Sequence, residues 1–128
     1  MRVNKIRVLL ANHPMMIPDN IRNLVAAQED LELVGEVRGA INTLRATGST
    51  MADAVILVQE GMDEPGLCSQ LLAVYPDLTI LSVTPDLTSA FTQQLCSRRR
   101  SIINAQQEEI IQELRVAVRK PCSRGEGY

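Results

Sequence analysis

Asp53-Ala-Val-Ile-Leu-Val58 decides the fold. One acid is followed by five apolar residues, and polar segments bound the run on both sides. A run of this kind suits a strand buried on both faces, the central strand of a parallel sheet. A strand with one wet face would instead alternate apolar with polar residues. The run ends on Val58. In open α/β sheets that end of the strand is where ligands usually sit.

Outward on the N-terminal side, Ile6-Arg-Val-Leu-Leu-Ala11 is rich in strand formers and is broken by Asn12-His13-Pro14. The spacing of Ile21, Leu24 and Val25 predicts a helix that either starts near Pro18 or is kinked there, because proline fits a first turn but not a helix interior. Leu31 to Val37 alternates in part, as an edge strand does. A short helix is expected after Gly39, with Ile41 and Leu44 inward and Gly48-Ser49-Thr50 closing it.

On the C-terminal side, Leu67, Leu71, Leu72 and Tyr75 mark a helix that Pro76 ends. Leu78 to Val83 reads as the next strand, and Thr84-Pro85-Asp86 as a turn in which Asp86 caps a further helix. Leu87, Phe91 and Leu95 recur at every fourth position and predict that helix over 87–95. Arg98 to Ile103 reads as a last strand that begins exposed and ends buried. The final helix carries Ile110, Ile111, Leu114, Ala117 and Val118 on one stripe. Its early Glu108 and Glu109 and its late Arg115, Arg119 and Lys120 complement the helix dipole. The expected organisation is one domain over 1–120 and a polar, flexible tail over 121–128. Strands and helices that alternate strictly imply an α/β fold, a parallel sheet with helices on both faces.

Composition excludes several roles. The chain has 128 residues, 45% of them hydrophobic and 22% charged, the profile of one globular domain. A formal net charge of -2 argues against bulk attraction to nucleic acid or an anionic membrane. Three aromatic residues, Tyr75, Phe91 and Tyr128, are too few for a base-stacking platform. No secretory signal and no membrane-spanning run are evident. Cys68, Cys96 and Cys122 lie far apart, without metal-site spacing, and read as reduced thiols of a cytoplasmic protein.

Four blocks together carry a resemblance: Ile6 to Pro14, Asp30 to Val37, Asp53 to Val58, and Tyr75-Pro-Asp-Leu-Thr-Ile-Leu-Ser-Val-Thr84. Over about residues 5 to 120 the chain resembles a bacterial response-regulator receiver domain of the CheY-like kind. The resemblance implies a flavodoxin-like fold of five parallel strands ordered 2-1-3-4-5. It also implies a phosphoryl-accepting site built from four elements at the strand ends. These are an acidic pair holding a divalent metal, an acceptor aspartate, a Thr or Ser, and a Lys, since hard cations need carboxylate oxygens and the moving phosphoryl group needs cationic stabilisation.

This chain keeps one of the four. Asn12 and His13 stand where the acidic pair would be, with one residue fewer before His13-Pro14; Val58 stands at the acceptor position, Thr84 is retained, and Asn104 replaces the lysine. A carboxamide supplies no cation. Asp53 begins its strand, on the order of 16 Å from the functional end, and the loop acids Glu60 and Asp63 have no metal partner in the pattern. Loss of the carboxylate cluster removes like-charge repulsion and lets the pocket fill in. Met15, Met16 and Ile17 are expected to pack over the vacated site instead of forming an exposed patch. His13, the single histidine, reads as a loop residue echoing the His-Pro of the family.

The resemblance and the losses together lead to the expectation of a phosphorylation-independent pseudo-receiver. It would be no enzyme, would use neither metal nor cofactor, and would act through a protein partner or by forming a homodimer. Arg98, Arg99 and Arg100 form the one basic run. In the family such residues fall near the face of the fourth helix, fifth strand and fifth helix, which often docks partners, and Arg suits carboxylate pairing there. With the chain ending at Tyr128, no output domain and no direct DNA contact are expected. The alternative is a small-molecule sensor using the crevice near Asn12, Val58, Thr84 and Asn104.

Overall fold

The computed structural model describes residues 5–60, 66–94, 99–103 and 107–119, with 99–103, 107 and 119 described by their backbone. The elements are β1 (Ile6–Asn12), α1 (Asp19–Ala26), β2 (Leu31–Arg38), α2 (Ala40–Ser49), β3 (Ala54–Val58), α3 (Leu67–Val74), β4 (Thr79–Val83), β5 (Ser89–Gln93), β6 (Arg99–Ile103) and α4 (Gln107–Arg119). They form an α/β fold around a six-stranded sheet ordered β2-β1-β3-β4-β5-β6.

β1 pairs in parallel with β2 and β3, and β3 in parallel with β4. Every residue of β3 and β4 is buried. That is the reason the central run is apolar throughout: alternate residues serve different cores. Ala54, Ile56 and Val58 join Ile21, Val25, Ile110 and Leu114 on the face covered by α1 and α4. Val55 and Leu57 join Leu67, Cys68 and Leu71 on the opposite face. Asp53 is tied in at the head of β3, where its carboxylate accepts the Arg7 N–H at 2.9 Å.

Pro18 precedes α1, so that helix begins where proline is tolerated. β2 is an edge strand, and a register shift opposite Val8 and Leu9 explains its imperfect alternation. α2 turns a different side inward from the one expected. Thr43 and Thr47 are buried and Ile41 is 68% exposed, while Leu44 packs partly against the core. Burial of the threonines is tolerable because their hydroxyls donate to the carbonyls of Gly39 and Thr43, each at 2.7 Å. α2 closes over Gly48-Ser49-Thr50 as expected, and Gly48 is a closely packed position. A Cβ there would fall 2.6 Å from Tyr75 Oη, so glycine lets the Tyr75 ring reach α2 and donate to Leu44 O at 2.7 Å.

The largest departure follows β4. The helix expected over 87–95 is not formed by the described residues; Ser89–Gln93 is β5, antiparallel to β4. β5 in turn pairs antiparallel with β6. The sheet is therefore mixed, not purely parallel, and has six strands instead of five. The turn chemistry decided this. Leu87 N–H donates to Thr84 O at 2.9 Å with Pro85 and Asp86 between them, and Leu87 has φ 62°, the left-handed step that closes a short hairpin loop. Thr88, Ser89 and Thr92 are moreover poor helix formers. The fourfold spacing of Leu87, Phe91 and Leu95 was therefore a misleading period. Asp86 caps the turn, not a helix: its Oδ1 accepts from the Thr88 N–H and from the hydroxyls of Thr88 and Thr84.

α4 buries Ile110, Ile111, Leu114 and Ala117 as its stripe predicts. Arg115 ties it to the α1–β2 loop, donating from Nε to Asp30 Oδ2 at 2.8 Å and from Nη2 to Gln28 Oε1 at 2.6 Å. Among the described residues no helix is long and apolar enough to cross a membrane.

Candidate functional site

The C-terminal ends of β1, β3 and β4 converge at the sheet edge where this architecture usually binds ligands. Val58 closes β3 at 1% exposure within the α1–α4 core. Met15 crosses it in an isolated antiparallel bridge, so the segment after β1 lies against the strand end. Of the three residues read as a cover, Ile17 is buried in the core, Met15 is partly exposed and Met16 is 56% exposed. Only part of that segment fills the site. His13 is half-buried and joined to Pro14 by a cis peptide bond.

Asn12 is engaged by the fold through both ends of its amide. Its Oδ1 accepts the Ile17 N–H at 2.6 Å, and its Nδ2 donates to Glu36 Oε2 at 3.0 Å and Val37 O at 3.1 Å. It therefore pins the loop to β2. Glu36 is clasped by Arg22 of α1, whose Nε and Nη2 reach its two oxygens at 2.7 and 2.6 Å. Arg22 also pairs with Asp19. The paired donation from Arg22, helped by Asn12, holds the Glu36 carboxyl down to about 2, and the two carboxylates raise the Arg22 guanidinium above its ordinary value. Sequence reading missed this pair. Arg22 and Glu36 lie fourteen positions apart on different elements, and no local pattern joins them.

Thr84 is present but engaged. Its hydroxyl donates to Asp86 Oδ1 at 2.8 Å and accepts the Ser89 N–H at 3.1 Å. Bonds from Thr88 and Thr84 lower the Asp86 carboxyl below the usual carboxylate range. Thr84 thus organises the hairpin. Asn104, Asp63, Arg98, Cys96 and Cys122 lie outside the described residues. Arg99 and Arg100 enter β6, at the opposite edge of the sheet from β2. The expected docking face of helix, strand and helix takes a different form, because a strand stands where its first helix was expected.

The donor set does not fit a hard divalent cation. The Val58 side chain offers no ligand atom, Asn12 is bonded within the fold, and among the described residues no group of three or more His, Cys, Asp or Glu side chains could hold a metal ion. A second missed feature adjoins the site. Gln59, just beyond Val58, is 2% exposed, and among the described residues none pairs with either atom of its amide.

No protein-family model matches the chain, and no curated protein matches it by sequence.

Proposed function

We propose that this chain is a pseudo-receiver of flavodoxin-like descent, a phosphorylation-independent module of bacterial signal transduction that works through protein–protein contact or self-association. One observation carries the reading. Val58, at the position where the resemblance places the acceptor aspartate, is buried and bridged by Met15, while Asn12 beside it is bonded to Ile17 and Glu36. A strand end arranged in this way offers neither a nucleophile for phosphoryl transfer nor carboxylates for its metal.

The parallel order β2-β1-β3-β4, with helices on both faces, supports the same reading, whereas the antiparallel β5 departs from the family pattern. In the proposal the basic run enters through the edge strand β6. An edge strand keeps main-chain groups available for another chain, and arginines favour an acidic partner surface.

Acetyl phosphate with magnesium tests the first half. Mass spectrometry is expected to show no added phosphoryl group and NMR no specific shift at Asn12, Val58 or Thr84; a stoichiometric adduct would overturn the proposal. For the second half, reversing Arg98, Arg99 and Arg100 to Glu is expected to abolish self-association or partner capture at unchanged fold. Retention of both would remove the basic run from the interaction.

A further inference from the structure

We infer that copies of this chain associate head to tail, β6 of one copy adding in parallel to β2 of the next, so that the sheet runs on from copy to copy. The inference rests on the reading of β6 as a contact edge and names what that edge meets. In the order β2-β1-β3-β4-β5-β6 no described strand lies outside β2 or β6. Open edges present main-chain N–H and C=O groups with which another strand can pair.

The strand directions fit. β2 is parallel to β1, β1 to β3 and β3 to β4, whereas β5 reverses the direction and β6 reverses it again. β6 therefore runs the same way as β2. A copy set beside β6 in the same orientation presents its own β2 in parallel, and each face of the sheet continues into the same face of the next.

The charges fit as well. β6 opens on Arg99 and Arg100, directly after Arg98 in the sequence, and ends on Ile102 and Ile103. β2 is preceded by Glu29 and Asp30, has Glu32 in second place and continues through Leu33 and Val34. In parallel alignment a basic start meets an acidic start, and apolar positions follow on both strands. The register shift of β2 comes after Leu33, so its acidic start is the regular part of the edge. Asp30 is held by Arg115, but Glu29 is exposed and makes no ion pair among the described residues. Glu32 reaches Arg7 at 3.4 Å, a long contact between half-exposed side chains that leaves the carboxylate accessible. Leu33 and Val34 are only half-buried and keep apolar surface for a further strand to cover. Pairing β2 with β2, or β6 with β6, would gather charge of mostly one sign, which opposes docking. An interface between two different edges leaves one of each free at the ends of the assembly, so it grows into open chains or closes as a ring.

Sedimentation velocity of the full chain over a range of concentrations tests this, with two double variants, Glu29→Lys with Glu32→Lys on the β2 edge and Arg99→Glu with Arg100→Glu on the β6 edge. The parent is expected to form species larger than a dimer as concentration rises. Each double variant alone is expected to associate at least ~10-fold more weakly, and an equimolar mixture of the two to assemble again, because each then offers the charge the other's edge needs. Restoration in the mixture also shows that neither variant lost association by misfolding. A parent that stays monomeric, a β2-edge variant that assembles like the parent, or a mixture that stays apart would overturn the inference. So would a dimer sensitive to the β6 variant alone, which would mean β6 pairing with β6. Partner capture through Arg98, Arg99 and Arg100 by a monomeric chain would overturn this inference and leave the reading of β6 standing, whereas unchanged assembly and partner capture in the β6-edge variant would sink both.

Discussion

β1, β3 and β4 pair in parallel and form the buried middle of the sheet, whereas β5 and β6 are antiparallel and follow β4 through a tight hairpin turn. The two regions obey different rules. In the first, each strand serves two cores, so apolar character is continuous and the strand is legible as a run. In the second, Ser89-Ala-Phe-Thr-Gln93 mixes polar and apolar residues, and its state depends on the turn that starts it and the strand it meets. The difference teaches where local sequence is sufficient. Burial on both faces leaves a strong composition signal; a hairpin arm leaves a weak one that a chance spacing of four can mimic.

The comparison breaks most sharply at β3. Leu57→Ala removes a fully buried side chain and is expected to cost about 3 kcal/mol in urea unfolding. Protection from hydrogen exchange should fall across β1, β3 and β4 together. A loss confined to β3 would show that the parallel strands are not one cooperative unit.

Arg115→Ala tests the tie between the final helix and the N-terminal half. It removes the bonds to Asp30 and Gln28, and a partly exposed charged pair of this geometry is expected to contribute about 1.5 kcal/mol. The unfolding midpoint in urea reads the change. Arg115→Lys should restore little, because a lysine cannot bond both Asp30 oxygens in the same fork.

Thr84→Val probes the hairpin. Loss of the hydroxyl bonds to Asp86 and Ser89 is expected to cost about 1 kcal/mol, with faster amide exchange in β5 and unchanged exchange in β3. Equal acceleration in both strands would erase the distinction between the two regions.

The smallest effect belongs to pH. Glu36 is lowered from 4.5 to about 2 in the folded chain, so its contribution is fully present above pH 4.5 and is lost as pH falls toward 2. Glu36→Gln should therefore be less stable than the parent at pH 7, with the gap closing over that interval. A gap that persists at pH 2 would assign the effect to packing, not to the ion pair.

Particular residues show how far the sequence could be read. Val58 and Asn12 were recognisable as the non-acidic ends of two strands, and the apolar runs placed β1, β3 and β4. The retained Thr84 looked like a surviving site residue, yet its hydroxyl holds a turn. Ile41 looked like core and is exposed, because the register of α2 is set by Thr43 and Thr47, which satisfy their own hydroxyls within the helix. Arg22 and Glu36 gave no signal at all, since a salt bridge between elements has no sequence period.

By itself the sequence determined the α/β alternation up to β4 and the absence of a carboxylate at Val58, because buried runs and residue chemistry are local properties. Only the tertiary structure decided that the chain after β4 returns as an antiparallel strand, that Asn12 is tied to Glu36 and Ile17, and that the Gln59 amide is buried without a partner among the described residues. Those outcomes depend on which groups meet across the fold, and a hydrogen bond is set by its partner's position as much as by its own residue.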